Sequence, residues 1–236
     1  MGKETKISWT NSTYNPWRGC IKISAGCKNC YMFPNQEHYG FNPHEIVRTG
    51  KPVFTSPLRW LEPAKVFVCS WSDFFIEQAD PWRAEVWEII KRTPHLTYQI
   101  LTKRPERILE HLPSDWGEGW PNVWMGVTIE DTANMGRAAI LADIPAKLRF
   151  ISYEPALEYV DFAPIFKTGK FQWLVSGGET GKEARPAEEA WFLKTRDVCQ
   201  AFDVAYFHKQ NGGHIAIEGV YGGLRIGGQI YQAFPV

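Results

Sequence analysis

The chain has 236 residues, of which 44% are hydrophobic and 22% are charged, and its 26 basic residues balance its 26 acidic residues. This composition is typical of a folded globular protein, which excludes a disordered chain, and a formal net charge of zero argues against a strongly basic nucleic-acid-binding protein. The length predicts one domain, residues 1–236, with a sizeable core.

No run approaches 18 consecutive apolar residues, so the sequence predicts no membrane span. Residues 1–6 are charged and contain no apolar segment of a secretory signal. The five cysteines include three that lie close together, which favours a reducing compartment. We therefore expect a cytoplasmic protein that does not use a membrane.

In chain order, the sequence predicts a short strand at residues 7–9, a cysteine loop at 15–31 and a loop with one helical turn over 31–57. Apolar runs then alternate with helical patterns. The predicted strands are residues 65–69, 97–101, 123–127, 148–151, 171–175 and 204–207. The predicted helices are residues 81–91, a segment from 104 to about 111, and residues 134–142 and 187–202. Asp80 is the predicted cap of the first helix. The glycine-rich tail, 212–236, is predicted to contain a hairpin.

Six apolar strands that alternate with helices indicate parallel βα units. The predicted fold class is therefore α/β, a full or partial parallel (β/α) barrel of the TIM type. Active sites of such barrels lie at the C-terminal ends of the strands. Polar residues at those positions are the first candidates for function.

The clearest chemical signal is three cysteines, Cys20, Cys27 and Cys30, with the spacing C-x6-C-x2-C. Three thiolates without an obvious fourth ligand suit a [4Fe–4S] cluster with one open iron, or a catalytic zinc with one open position. A closed structural zinc site would take its fourth ligand from His38 or His44. Three unconnected core cysteines are the alternative, and the clustering within eleven residues argues against it.

Loop geometry supports a shared site for the cysteines. Two residues between Cys27 and Cys30 let both sulfur atoms point into one concavity. Gly19 and Gly26 are predicted to ease the loop by adopting positive φ, which glycine does at little steric cost. The remaining cysteines, Cys69 and Cys199, lie inside apolar segments and are predicted to be buried bystanders.

Charged residues follow the predicted strands by only a few positions and are expected to meet at one end of the barrel, beside the cysteine loop. These residues are Asp73, Lys103, Glu130, Glu154, Glu179 and Lys209. Four cations, Lys103, Arg104, Arg185 and Lys209, suit carboxylate or phosphate groups, since Arg grips such groups bidentately. The alternative is that these cations pair with the glutamates in a structural ion network.

A Gly-Gly-Glu triplet, Gly177, Gly178 and Glu179, ends the predicted strand at 171–175. The glycines allow close backbone approach, and the carboxylate can accept hydrogen bonds from an ammonium or a ribose hydroxyl. A tight strand-to-helix turn is the alternative interpretation of this triplet.

Motifs over about residues 7–213 resemble those of the phage-type proteins named Gp-thirty-seven/Gp-sixty-eight, a family of unknown function. Besides the cysteine loop, the resemblance is carried by the runs Ser72-Asp73-Phe74-Phe75, Ile100-Leu101-Thr102-Lys103-Arg104-Pro105, Gly126-Val127-Thr128-Ile129-Glu130, Phe150-Ile151-Ser152-Tyr153-Glu154-Pro155, Gly177-Gly178-Glu179-Thr180-Gly181, Ala184-Arg185-Pro186 and Lys209-Gln210. That family is in turn similar to radical S-adenosylmethionine (SAM) enzymes, whose commoner cysteine spacing is C-x3-C-x2-C.

The resemblance implies a radical SAM-like barrel in which Cys20, Cys27 and Cys30 hold a [4Fe–4S] cluster whose open iron chelates SAM. It implies reductive cleavage of SAM and an electron donor such as flavodoxin or ferredoxin. The predicted cofactor-binding residues are Asp73, Glu130, Glu154, Gly177, Gly178 and Glu179. The predicted substrate-binding residues are Lys103, Arg104, Arg185 and Lys209.

The substrate is not identified, and the phage association implies a nucleic acid or a nucleotide. One alternative is a zinc-dependent enzyme or a zinc-stabilised binding protein that uses the same three cysteines with His38 or a water. Another alternative is a non-catalytic barrel that binds a partner through a tryptophan-rich surface, since the chain has 11 Trp.

Overall fold

The computed structural model describes residues 5–236. Its strands are β1 (Ser12–Tyr14), β2 (Trp17–Arg18), β3 (Val47–Arg48), β4 (Ala64–Val68), β5 (Leu96–Thr102), β6 (Val123–Thr128), β7 (Leu148–Tyr153), β8 (Trp173–Gly177), β9 (Ala205–Gln210), β10 (Ala216–Ile217) and β11 (Val220–Tyr221). Its α-helices are α1 (Met32–His38), α2 (Lys51–Phe54), α3 (Asp80–Lys91), α4 (Gly136–Asp143), α5 (Ala163–Phe166) and α6 (Glu189–Ala201).

Seven strands form the main sheet in the order β1-β4-β5-β6-β7-β8-β9. The pairs β1–β4, β4–β5, β7–β8 and β8–β9 are parallel, as expected for strands whose connections cross back over the sheet. The predicted α/β class is confirmed, and the strand order is that of a partial (β/α) barrel. The tail hairpin is also confirmed, because β10 pairs with β11 in antiparallel orientation.

The chain divides into two compact units. The first comprises the described residues up to Lys22 together with Met32–Gly126 and Ile144–Leu148, and the second comprises Ile23–Tyr31, Val127–Asp143 and Arg149–Val236. The prediction of a single domain over residues 1–236 stays a prediction.

Each unit has its own aromatic core. In the first, Phe74 lies against Trp87 of α3, with ring centroids 5.0 Å apart. In the second, Phe150 of β7 packs against Trp173 of β8 at 5.5 Å. Full burial of one such side chain stabilises a fold by roughly 1.5–3 kcal/mol. All 11 Trp lie within the described residues, and each of them is buried or half-buried.

The first predicted strand is displaced. Residues 7–9 form a turn, and the strand that pairs with β4 begins at Ser12. Trp9 owes its burial to packing on Phe67, with ring centroids 4.6 Å apart. The apolar Trp9, which lies ahead of the strand, was therefore misinterpreted as part of it. The segment 31–57, predicted to be a loop with one helical turn, contains two helices, α1 and α2, and the short strand β3.

The predicted helix from 104 to about 111 consists of two separate 3-10 turns, Pro105–Arg107 and Leu109–His111. The residue before Pro105, Arg104, has φ −123° and ψ 58°, because a proline disfavours the helical conformation in the residue that precedes it. The predicted helices 134–142 and 187–202 are confirmed with slightly different ends, as α4 and α6.

Asp80 is not a helix cap. It is the first residue of α3, and the capping position belongs to Ala79, which makes no side-chain cap. The Asp80 carboxylate instead accepts hydrogen bonds from Arg83 (2.6 Å) and Arg107 (2.8 Å). Arg83 is buried, and a buried charge is costly without a partner of opposite charge. The Asp80 carboxylate therefore pairs with Arg83 and does not cap the helix.

Candidate functional site

The Cys20 end of the cysteine loop belongs to the first unit. Gly19 has φ +87°, as predicted, and a Cβ at this position would lie 2.1 Å from the carbonyl oxygen of Glu45. The Gly19 amide donates to the carbonyl of Trp71 (3.1 Å), and its carbonyl accepts from the Ser72 hydroxyl (2.6 Å). The residues after β4 therefore hold the backbone beside Cys20, which is half-buried.

Asp73 follows β4 and is saturated with protein partners. One carboxylate oxygen accepts from the Thr102 hydroxyl (2.7 Å) and the Phe75 amide (2.9 Å). The other accepts from the Lys103 amide (2.9 Å) and lies 3.1 Å from the Arg104 guanidinium. This carboxylate joins the end of β5 to the segment after β4.

Arg104 extends this arrangement to the cysteine loop. Its guanidinium donates to the carbonyl of Ile21 (2.9 Å), next to Cys20. The residue is 8% exposed. In this structure Arg104, a predicted substrate-binding residue, supports the loop, and its roles toward a substrate stay a prediction.

Cys27 and Cys30 belong to the second unit and lie at a 3-10 turn, Ala25–Cys27. The Cys27 amide donates to the Ser24 carbonyl (3.0 Å), and the Cys30 amide donates to the Cys27 carbonyl (3.4 Å). The Ser24 hydroxyl also lies 3.6 Å from the Cys27 sulfur. Cys27 is buried and Cys30 is half-buried, so this turn presents both thiols from an ordered backbone.

Glu130, at the end of β6, is fully buried and contacts the same turn. The Ser24 hydroxyl donates to one of its oxygens, and Arg137 of α4 donates to the other (2.7 Å). A Cβ on Gly26 would lie 2.8 Å from the Glu130 carboxylate. The predicted positive φ at Gly26 is wrong. A glycine is required here for a different reason, since a side chain at this position would collide with the buried Glu130 carboxylate.

Glu179, at the end of β8, contacts the other side of the turn. Its carboxylate accepts from the Arg185 side chain (2.8 Å), the Arg185 amide (2.9 Å) and the Asn29 amide group (3.0 Å). The Arg185 guanidinium also donates to the carbonyl of Ala25 (3.0 Å). Burial raises the pKa of Glu179, but the hydrogen bonds from Arg185 and Asn29 outweigh it and the net pKa is lowered. Glu179 is therefore a charged anchor of the cysteine turn.

The two glycines before Glu179 are required by the neighbouring strand end. A Cβ on Gly177 would lie 2.9 Å from the Gln210 side chain, and one on Gly178 would lie 2.1 Å from the carbonyl oxygen of Asn211. The Gly178 amide also donates to the Gln210 carbonyl (3.0 Å). This close approach of two backbones agrees with the tight-turn interpretation of the triplet.

Glu154 follows β7 and meets two residues from the end of β9. Its Oε1 atom accepts from Lys209 Nζ (2.5 Å) and from Gln210 Nε2 (2.8 Å). Side-chain exposure is 20% for Glu154 and 23% for Lys209. The pair is thus partly desolvated and still reachable from solvent.

The ion-network interpretation is confirmed for Arg185 with Glu179 and for Lys209 with Glu154. Convergence of all six strand-end residues on one end stays a prediction.

The sequence interpretation missed the residues that bind these acids, namely Ser24, Asn29, Arg137 and Gln210. Ser24 and Asn29 carry one usable signal, since they are polar residues inside the cysteine loop. Arg137 carries no such signal in the sequence, because its pairing with Glu130 depends on how α4 packs against the end of β6.

Thiol donors of this number and spacing match the chemistry of iron–sulfur and zinc centres. The five cysteines, all within the described residues, are thiols without disulfides. Across residues 5–236, however, no three His, Cys, Asp or Glu side chains are gathered closely enough to hold a metal ion. His38 lies against the ring of Tyr39 and His44 against that of Phe33. The metal site stays a prediction from the spacing.

The two other cysteines, Cys69 and Cys199, are buried as predicted. Burial raises the pKa of both thiols, which keeps them protonated at neutral pH. They are therefore suitable controls for experiments on the cysteine loop.

Within residues 5–236, no helix combines the length and the hydropathy that crossing a bilayer requires.

A family of proteins of unknown function, DUF5131, matches residues 4–235. Searches of curated proteins and of solved structures gave no match. Because the family match covers nearly the whole sequence, the chain belongs to the DUF5131 family.

Proposed function

We propose that this protein is a radical SAM enzyme in which Cys20, Cys27 and Cys30 hold a [4Fe–4S] cluster. The observation that carries the proposal is the spacing C-x6-C-x2-C, which places three thiols within eleven residues and includes no fourth ligand. Three thiolates leave one iron of such a cluster open for a cofactor. When bound, the cluster supplies the one-electron reductive cleavage of SAM.

The contacts around the loop support this proposal. Glu130 follows β6 and Glu179 follows β8, and both contact the turn that carries Cys27 and Cys30. Ligands that are held by hydrogen bonds from surrounding residues are oriented before the metal binds. Thus two of the predicted cofactor-binding acids act on the protein loop itself, and we assign them to positioning.

The reaction needs an electron donor, for which a flavodoxin or a ferredoxin is suitable, and a substrate. We propose a nucleic acid or a nucleotide as the substrate, on the phage-type resemblance of the motifs. The radical SAM-like version of the barrel belongs to the same proposal.

The test is anaerobic reconstitution of the full chain with iron and sulfide. The wild type should become brown and bind iron, and after dithionite reduction it should convert SAM to methionine and 5′-deoxyadenosine. Cys20→Ala, Cys27→Ala and Cys30→Ala should each lose the iron and the reaction. Cys199→Ala is the matched control, since it removes a buried thiol outside the loop and should keep both.

Full iron content in Cys27→Ala would sink the proposal. A colourless wild type that binds zinc with the same dependence on the three cysteines would instead identify the zinc enzyme or zinc-stabilised protein. A fully loaded cluster that produces no 5′-deoxyadenosine, with or without nucleotides, would refute the SAM reaction.

A further inference from the structure

We propose that Arg18, Tyr39 and Phe41 form a platform that binds single-stranded nucleic acid, with a backbone phosphate on the guanidinium and unstacked bases on the two rings. The proposal deepens the proposed function and rests on it only for the reaction, because it names the form of nucleic acid that the substrate takes. It is carried by an arginine without an acidic partner and by two exposed rings that the backbone holds in place.

Arg18 lies in β2 and is half-buried. Its Nε atom is buried without a hydrogen-bond partner, and no carboxylate within residues 5–236 pairs with its guanidinium. The guanidinium lies over the Phe41 ring, with Cζ 4.1 Å from the ring centroid. A partly desolvated cation without an anion is costly, so this position suits an anionic ligand. Phosphate is a suitable anion, since Arg binds its oxygens bidentately.

The neighbouring strand shows the contrasting arrangement. Arg48 lies in β3, which pairs with β2, and its guanidinium also covers an aromatic ring, that of Phe54, at 3.6 Å. Arg48 additionally makes an ion pair with Glu85 (2.7 Å). Contact with a ring therefore does not replace a carboxylate partner at Arg48, whereas Arg18 has the ring contact without the carboxylate.

The backbone after α1 holds both aromatic residues in a Schellman motif. Gly40 has φ +74°, and its amide donates to the Glu37 carbonyl (2.9 Å). The Phe41 amide donates to the Gln36 carbonyl (2.9 Å). These two hydrogen bonds define the motif. Tyr39 and Phe41, on either side of the glycine, therefore need little further ordering to bind a ligand.

Both rings are accessible. Tyr39 is 63% exposed and Phe41 is 38% exposed. The Tyr39 ring leans on that of Trp71, with centroids 5.7 Å apart, which supports it from one side. Exposed aromatic rings bind the bases of single strands by stacking, because every base has a π-face.

The charges of this segment favour a nucleic acid over a peptide. Glu37 and Glu45 are exposed in the same segment, so an acidic peptide would meet carboxylates as well as Arg18. An apolar peptide would cover the rings and leave the Arg18 charge without an anion. A nucleic-acid strand supplies both flat π-faces and phosphates, and stacking contributes more to its affinity here than charge does.

The platform adjoins the Cys20 end of the cysteine loop. The Cys20 amide donates to the carbonyl of Pro43 (2.9 Å), two residues after Phe41. Arg18 itself precedes Cys20 by two positions. A strand bound to the platform would therefore lie beside the loop that is proposed to hold the cluster.

The test is fluorescence anisotropy of the full chain, metal-free and reconstituted, with a fluorescein-labelled oligothymidylate and with its duplex. Tyr39→Ala and Phe41→Leu should each weaken binding of the single strand by about 5- to 150-fold, the range for the loss of one stacked base. Tyr39→Phe should bind as the wild type does, because stacking requires the ring and not the hydroxyl. The duplex should bind more weakly, since its bases are stacked on one another.

The phosphate contact is tested by salt dependence. Arg18→Gln should weaken binding and reduce the slope of log affinity against log salt concentration by about 0.7, the value for one phosphate contact with a single strand. Arg59→Gln is the matched control, since Arg59 is exposed and donates to the Pro52 carbonyl (2.5 Å). Leu61→Ala is the control for the rings, because Leu61 is an apolar residue that is 81% exposed. Both controls should keep the wild-type affinity and slope.

Four results would overturn the platform. They are wild-type affinity in both Tyr39→Ala and Phe41→Leu, equal binding of strand and duplex, an unchanged slope in Arg18→Gln, and a loss in Leu61→Ala as large as that in Tyr39→Ala. Competition by thymidine monophosphate as effective as that by the unlabelled oligonucleotide would replace the strand with a free nucleotide as the ligand.

Failure of the platform and failure of the enzyme proposal give different results. If the loaded wild type cleaves SAM but does not bind the oligonucleotide, only the platform is wrong. If binding of the oligonucleotide depends on Tyr39, Phe41 and Arg18 but no SAM is cleaved, only the radical SAM reaction is wrong.

Discussion

Glu130 holds a buried negative charge between the Ser24 hydroxyl and the Arg137 guanidinium. A buried ion that loses its partner is costly, whereas an isolated exposed charge contributes little. This residue therefore links the stability of the second unit to the conformation of the cysteine turn.

We expect Glu130→Ala to lower the free energy of unfolding by about 3–5 kcal/mol, because it removes the carboxylate partner of the Arg137 guanidinium, whose side chain is only 11% exposed. Ser24→Ala should cost about 1–3 kcal/mol, because one hydrogen bond to the carboxylate is lost. Urea denaturation of the metal-free protein measures both changes. Glu118→Ala, at an exposed position, should stay within about 0.5 kcal/mol. Equal stability of Glu130→Ala and Glu118→Ala would show that the buried pair is not a stabilising contact.

His208 lies in a buried polar chain that the proposed reaction does not use. Its Nδ1 atom is 2.9 Å from the Ser176 hydroxyl, which is 2.7 Å from the Tyr206 hydroxyl, and its Nε2 atom is 3.0 Å from Asn211 Oδ1. Ser176 and His208 have no exposed surface. The Ser–His–Asn sequence of contacts is thus structural, because no substrate can reach the serine.

Burial lowers the pKa of His208 to about 4, although Asn211, Glu154 and Glu189 each favour the protonated form. The unfolded chain binds a proton near pH 6.5 and the folded chain does not, so stability is complete above about pH 6.5 and falls as the pH drops toward 4. The loss should reach about 3 kcal/mol. Urea denaturation between pH 7 and pH 4 should show it, and His208→Gln should flatten the slope. His214→Gln, at an exposed position, should keep the wild-type slope; the same slope in His208→Gln would contradict the assignment.

At the scale of elements, the close approach of the β8 and β9 ends depends on glycine. The chain after β8 passes the chain after β9 so tightly that a Cβ on Gly178 would meet a backbone carbonyl at 2.1 Å. A backbone atom cannot rotate away as a flexible side chain can. The Gly-Gly-Glu triplet therefore places Glu179 at the cysteine turn through sheet geometry.

Gly178→Ala should destabilise the protein by about 1–3 kcal/mol or more, since overpacking forces the backbone to move. Gly136→Ala is the contrasting variant, because Gly136 begins α4 and a Cβ there would meet nothing within 4 Å. Alanine should be neutral or stabilising by up to about 1 kcal/mol at that position. Thermal unfolding of both variants measures the difference. Similar unfolding temperatures would mean that the two strand ends can separate without cost.

At the scale of the whole molecule, the chain combines a seven-stranded sheet in sequential order with two compact units. The family match extends over both units. The strand-end acids contact residues of their own unit: Asp73 contacts Arg104 in the first, and Glu179 contacts Asn29 in the second. Each unit therefore fixes its own part of the cysteine loop.

The sequence by itself determined the α/β class, the positions of the six predicted strands and the C-terminal hairpin. These features depend on local patterns, because a buried parallel strand reads as an apolar run and a hairpin as turn residues between short strands. It also identified Gly19, whose positive φ is a local requirement. The displaced first strand and the two 3-10 turns at residues 105–111 show where packing of Trp9 and the constraint from Pro105 overrode the pattern.

Only the tertiary structure decided which charged residues are available to a ligand. Ser24 and Glu130 are 106 positions apart, and Asn29 and Glu179 are 150 positions apart, so no spacing rule predicts either contact. The sequence assigned Asp73, Glu179 and Glu154 the same role, whereas the structure distinguishes them by their partners. Whether a carboxylate is saturated depends on side-chain directions at the meeting of distant strand ends, and those directions exist only once the sheet has formed.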